Sequence, residues 1–181
     1  MINYIALLRG INVSGQKQIK MAELKKMFED LNFTNVETYI QSGNLVFQSD
    51  QKEKTSLIQH IKEKILETFR FEVEIIVLTK EEIYNILNNN PFLKDTTKGT
   101  DKFYVTFLAE KPADDRIESL KSVDYTPEEY ILDNTTIYFY AANGYGRAKM
   151  NNNFFESKLK VFATTRNWKT VNKLVELSQN K

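Results

Sequence analysis

The run Tyr4-Ile-Ala-Leu-Leu8 is apolar on both faces of an extended chain and stops at Arg9-Gly10. Tyr4, Ala6 and Leu8 fall on one face, Ile5 and Leu7 on the other. A strand with no polar side belongs in the middle of a sheet that is covered twice. Phe103–Leu108 has the same two-sided character. The covering layer is therefore either the other half of the chain or a second copy, which would make a homodimer. A polar pause, Gln41-Ser-Gly-Asn44, separates Ile40 from a second apolar run, Leu45-Val-Phe47.

Around these strands the periodicity alternates between sheet and helix. Ser14-Gly-Gln-Lys-Gln18 is a polar loop in which Gly15 permits a sharp turn. Met21, Leu24, Phe28 and Leu31 recur at helical spacing. Strands over 36–40 and 44–48 follow, joined by Gln-Ser-Gly. Asp50 with Glu53 reads as a capping box for a long helix striped by Leu57, Ile61, Ile65 and Phe69. Val73–Leu78 is a fourth strand, which completes β-α-β-β-α-β, the ferredoxin-like order.

The rest of the chain nearly repeats it. Thr79 and Glu82 cap a short helix that must end before Pro91, and the loop Lys94–Asp101 is a candidate boundary. A strand over 103–108, a helix over 112–120 and a hairpin around Asp133-Asn134 come next. Two helices close the chain, around Phe154–Leu159 and from Trp168 onward, with a helix standing where a fourth strand would be. The expected fold is α+β, two ferredoxin-like halves in tandem, residues 1–79 and 80–181, the second ending in helices.

Composition removes whole classes of function. Lys plus Arg less Asp plus Glu is 25 − 24 = +1, so any electrostatic site is a local patch. The chain has no cysteine, hence no disulfide, thiol nucleophile or Cys-type zinc site. Its single histidine, His60, excludes multi-histidine metal sites and sits on a helix face among Gln59 and Lys62 without an acidic or nucleophilic partner. No metal, cofactor or catalytic residue is assigned. No apolar run reaches the roughly 18 residues of a membrane span, and no leader pattern opens the chain. A soluble cytoplasmic protein with no membrane partner is the expectation.

Five motifs in order carry a resemblance: Tyr-Ile-Ala-Leu-Leu-Arg-Gly-Ile-Asn-Val (4–13), Ile-Lys-Met-Ala-Glu-Leu (19–24), Thr-Tyr-Ile-Gln-Ser-Gly-Asn (38–44), Asn-Pro-Phe (90–92) and Thr-Thr-Arg-Asn-Trp-Lys-Thr-Val-Asn-Lys-Leu (164–174). From end to end the chain resembles the bacterial family catalogued as domain of unknown function 1697. The resemblance implies an α+β protein of ferredoxin-like halves and no established activity. Two positions depart from the family's usual pattern: Ser14-Gly15 stands where Gly-Gly is usual, and Ala148 where a serine or threonine is. Neither is given a chemical role.

Three stretches compete as ligand sites. In a ferredoxin-like half the end of strand one neighbours the turn before strand three. That brings Arg9, Asn12, Gln41, Ser42 and Asn44 to one edge, with Lys17 and Lys20 on the adjoining loop. A guanidinium, carboxamides, a hydroxyl and amines suit a phosphate or carboxylate. The competing reading makes Gly10 a bulge, Gln-Ser-Gly a turn and Arg9 a brace for loop carbonyls. Thr164-Thr-Arg166-Asn167 precedes the last helix. Asn167 is a good N-cap for a helix beginning at Trp168, and free N–H groups beside Arg166 would also hold an anion. Asn143-Gly-Tyr-Gly-Arg-Ala-Lys149 is a weaker phosphate-loop pattern. Phe103, Tyr104 and Tyr138–Tyr140 occupy strands that carry stacking rings in RNA-recognition motifs, or else are core. The reading carried forward is binding of an anionic ligand, a nucleotide or nucleic-acid backbone. A phosphoester-processing enzyme and a protein-interaction module are the alternatives.

Overall fold

The computed structural model describes residues 1–179. It contains two four-stranded antiparallel sheets with helices against them, each in the ferredoxin-like arrangement. The compact units are Met1–Asn85 with the chain from Lys173 onward, and Ile86–Asn172. The loop Lys94–Asp101 lies inside the second unit.

In the first unit, β1 (Ile2–Leu8) is followed by α1 (Met21–Asp30), β2 (Thr34–Tyr39), β3 (Asn44–Ser49), α2 (Lys54–Phe69) and β4 (Ile75–Thr79). The sheet order is β2-β3-β1-β4, so the apolar run of β1 is interior, as its two-sided composition requires. Tyr4, Ala6, Leu8, Leu45 and Phe47 face α1 and α2, where they meet Leu24, Phe28, Leu57, Ile61 and Ile65. Phe28, Phe33 and Phe47 form the aromatic centre, with ring centroids 4.7–5.7 Å apart. The opposite face, Ile5, Leu7 and Val46, is buried as well. On that face Gln48 Nε2 donates to Asn3 Oδ1 (2.7 Å), and Asn3 Nδ2 donates to the Ser178 carbonyl (3.0 Å).

The helix α3 (Lys80–Asn88) starts with the expected capping box. Thr79 Oγ1 accepts from the Glu82 N–H (3.2 Å), and Glu82 Oε2 accepts from the Thr79 N–H (2.8 Å). The other expected box does not form. β3 runs through Ser49, so Asp50 is still leaving the sheet, and its carboxylate instead pairs with the Met1 amine at 3.2 Å. α2 begins at Lys54, and Glu53 before it makes no side-chain cap.

The second unit contains β5 (Phe103–Leu108), α4 (Asp114–Lys121), β6 (Glu129–Asp133), β7 (Thr136–Tyr140), α5 (Asn152–Leu159) and β8 (Ala163–Asn167), and α6 (Trp168–Gln179) begins in it. Its sheet order is β6-β7-β5-β8. Here the sequence reading needs correction. Residues 163–167 are a strand paired antiparallel with β5, from Tyr104↔Asn167 to Leu108↔Ala163, so the half is a complete β-α-β-β-α-β followed by a helix. β8 is an edge strand and needs only one ladder. Its Thr-Thr-Arg-Asn composition resembles a turn, but β-branched threonines favour the pleated conformation.

Leu108, Ile137, Phe139, Phe155 and Leu159 make the core on the α4–α5 side. On the other face Phe103 packs edge-on to Trp168 (6.2 Å) and lies against Phe92 (5.9 Å), while Tyr138 Oη donates to the Ile86 carbonyl (3.1 Å). Burial pushes the Tyr138 phenol up to about 12. Phe103, Tyr138 and Phe139 are thus core side chains, while Tyr104 and Tyr140 are half-buried at its margin.

Candidate functional site

The segment from Arg9 to Lys20 leaves β1, reverses and enters α1. Its fold depends on one carboxamide. Asn12 Nδ2 donates to the carbonyls of Ile19 (2.9 Å) and Gln41 (2.8 Å), and Asn12 Oδ1 accepts from the Ile19 N–H (2.8 Å). The residue takes a left-handed φ of 54°, which asparagine tolerates better than most. Ser14 lies at φ 51°, a conformation that glycine adopts at lower cost. Lys17 Nζ donates to the Glu72 carbonyl (2.7 Å), and the Arg9 N–H to that of Glu74 (2.9 Å), tying the loop to the approach of β4.

The neighbouring turn is equally determined. Asn44 is fully buried, and its Nδ2 donates to the Tyr39 carbonyl (3.0 Å) and Ser42 Oγ (2.9 Å). Gly43 has φ 75°, and a Cβ there would stand 2.7 Å from Leu8 Cβ and 2.8 Å from Ile11 Cδ1. Only glycine fits both the backbone and the space. Of the residues expected at this edge and its adjoining loop, Asn12 and Asn44 therefore hold the backbone, Lys17 braces the loop, and Ser42 serves the turn. Gln41 is exposed and lines a groove of about 770 Å³. Arg9 is half-buried beside β1.

That groove is the feature the sequence reading did not single out. Lys20 and the first residues of α1, Met21, Ala22 and Glu23, line it together with Asn12, Gln18 and Gln41. Lys20 occupies the N-cap position with extended backbone (φ −72°, ψ 133°) and makes no side-chain cap. The first-turn N–H groups thus have no capping side chain, and the positive end of the helix dipole faces the groove. The signal was available: lysine stands before Met21 where serine, threonine, aspartate or asparagine would ordinarily cap. Lys20 Nζ lies 3.6 Å from Glu23 on the exposed surface.

The second expected site is closed by its own side chains. Asn167 Oδ1 accepts from the Thr170 N–H (2.8 Å), capping α6 as expected. Arg166 is buried on β8, where its Nη1 donates to Thr164 Oγ1 (2.8 Å) and to the Thr165 carbonyl (2.9 Å). The Thr165 hydroxyl contacts Thr106 (2.8 Å) and Asn152 (3.0 Å). In the 143–149 loop, Tyr145 stacks on Tyr104 at 4.6 Å, and its hydroxyl accepts from the Asn152 N–H. Glu128 accepts from the N–H groups of Lys149 and Met150. That loop is pinned by a ring and a carboxylate.

Two further groups bear on chemistry. Hydrogen bonds from Lys98 and then Thr97 hold the Asp95 carboxyl down at about 2. The same turn donates the Thr97 N–H to Asp95 (3.0 Å), so the perturbation belongs to a turn and its ion pair. Among the described residues no group of three or more histidine, aspartate or glutamate side chains could hold a metal ion. No helix among them is long and apolar enough to cross a membrane.

The fold and groove define an α+β protein of two ferredoxin-like units with an uncapped helix start beside a glycine turn. The chain belongs to the family described as protein of unknown function DUF1697, whose profile matches residues 1–138. It is similar to a solved structure, the conserved bacterial protein SP0830 from Streptococcus pneumoniae. That likeness has a TM-score of 0.78 at 24% identity and covers 98% of each chain, which establishes the fold. No curated protein matches the chain.

Proposed function

We propose that the chain binds an anionic ligand, a phosphate of a nucleotide or of a nucleic-acid backbone, in the groove at the start of α1. The observation that carries this reading is the uncapped first turn with Lys20 and Gln41 on the groove. Backbone N–H groups at a helix N-terminus converge on an anion, and charge-assisted hydrogen bonds are about twice as strong as neutral ones. The helix dipole alone supplies only about 0.3–1 kcal/mol, so Lys20 and the Gln41 carboxamide must contribute. Glu23 is the one acid among the lining residues, and an entering phosphate competes with it for Lys20. Asn12 and Asn44 act indirectly, by fixing the two backbones that bound the groove.

Calorimetric titration of the full chain with inorganic phosphate, adenosine triphosphate and a short oligothymidylate tests this. Saturable binding is expected, weakened by Lys20→Ala and by Gln41→Ala with unchanged melting curves. For the oligonucleotide, log affinity should fall with log salt at roughly −0.7 per phosphate neutralised. Saturation that is indifferent to both substitutions, or no heat with any of the three, contradicts the reading. Arg9→Ala separates two roles for that residue: weaker binding with normal melting makes it a ligand contact, and a lowered melting point makes it a brace.

A further inference from the structure

The two units treat their outer edge strands differently. β2 is blunted, since its pairing with β3 slips between Thr34 and Glu37 around Asn35 at φ 51°. A bulge of this kind twists an edge away from new partners. β6 has no such protection and pairs with β7 in unbroken register from Glu129↔Tyr140 to Asp133↔Thr136. The two-residue loop makes Asp133 and Thr136 a hydrogen-bonded pair, so alternation turns the N–H and C=O groups of Tyr130 and Leu132 outward. Among the described residues these groups make no backbone hydrogen bond outside the ladder.

Beside this open edge runs a groove of about 480 Å³ between α4 and β6. It is lined by Val123, Tyr130, Ile131 and Leu132 among others, with Val123 46% and Ile131 38% exposed. The charged residues lining it are Lys111 and Lys121, and no acid lines it. Both have exposed partners: Asp114 stands 3.9 Å from Lys111, and Lys121 donates to Glu118 at 3.0 Å, an exposed pair that an entering carboxylate competes with. A second copy is a poor occupant: antiparallel self-pairing about Ile131 sets Glu129 opposite Asp133, and like charges directly opposite are destabilising.

We propose that β6 receives an extended acidic segment of a partner protein as an added strand. Main-chain bonds go to Tyr130 and Leu132, apolar side chains to Ile131 and Val123, and carboxylates to Lys111 and Lys121. Strand addition draws affinity from the backbone and specificity from the alternating side chains. This site lies in the second unit and is independent of the anion groove.

The test uses the full chain, isotopically labelled, and a capped hexapeptide of alternating aspartate and valine. Slowed amide exchange at Tyr130 and Leu132 is expected, with Lys111→Glu plus Lys121→Glu raising Kd about tenfold, the order expected for two reversed surface charges. The same double variant should gain affinity for the lysine–valine counterpart. Both lysines are well exposed, so the variant folds normally, and its melting curve checks this. No response at β6 up to millimolar peptide overturns the proposal. So does binding that ignores the charge reversal, and so does a β6-mediated dimer of the chain alone.

Discussion

The starts of α1 and α6 look alike in sequence, each preceded by a polar loop or strand end carrying basic residues, though only the second reads from sequence as a helix-start anion site. They differ in one atom. At α6 the Asn167 Oδ1 accepts from the Thr170 N–H, so the helix caps itself. At α1 the equivalent position is Lys20, which carries no acceptor and makes no cap. Arg166 beside α6 is turned into its own strand, onto Thr164 and Thr165, whereas Lys20 projects into solvent with 84% of its side chain exposed. The lesson is that basic residues near a helix start do not make an anion site. What matters is whether the chain has already satisfied the donors.

The largest expected effect lies on the closed side. Trp168 is the first residue of α6, 8% exposed and edge-on to Phe103. Trp168→Ala should cost about 3–5 kcal/mol in denaturant melts and leave phosphate binding by the folded protein intact. Loss of binding without loss of stability would make the tryptophan a ligand surface and erase the contrast.

Next comes the turn that carries Gln41. Gly43→Ala places a Cβ against Leu8 and Ile11 at a left-handed φ, and about 3 kcal/mol of destabilisation is expected by urea unfolding. An unchanged midpoint would mean that this turn relaxes freely and does not shape the groove.

Two cap exchanges then probe the comparison itself. Asn167→Ala removes the α6 cap, and a loss of roughly 1 kcal/mol is expected with no change at α1. Lys20→Ser supplies the missing acceptor at a position whose backbone already has cap geometry. It should raise stability by roughly 0.5–1 kcal/mol and abolish phosphate binding, stability and ligand affinity moving in opposite directions. A serine variant that is both more stable and still binding would place the anion elsewhere.

Much of the fold was legible because period and capping carry it. The two-sided run of β1, the Leu57–Ile61–Ile65 stripe, the Thr79/Glu82 box and the Asn167 cap all appear where their residues predict. β8 was misread because an edge strand of threonines, arginine and asparagine has no hydrophobic alternation to report. The Asp50/Glu53 box failed because a three-residue spacing cannot tell a helix entry from a strand exit that extends through Ser49. At the candidate site, adjacency of the Arg9–Lys20 loop and the 41–44 turn was readable from topology. The roles within it were not. That Asn12 and Asn44 serve backbone groups depends on where carbonyls of distant residues fall, and that α1 is uncapped is seen only by noticing a residue that is missing.

The central claim is that the uncapped start of α1, and not the capped start of α6, receives an anion. Amide chemical-shift titration of the labelled full chain with inorganic phosphate tests it most directly. Saturable shifts are expected at Met21, Ala22 and Glu23 and at the Gln41 side chain, with Lys169 and Thr170 unmoved. Shifts of equal size at both helix starts, or at neither, would contradict the account.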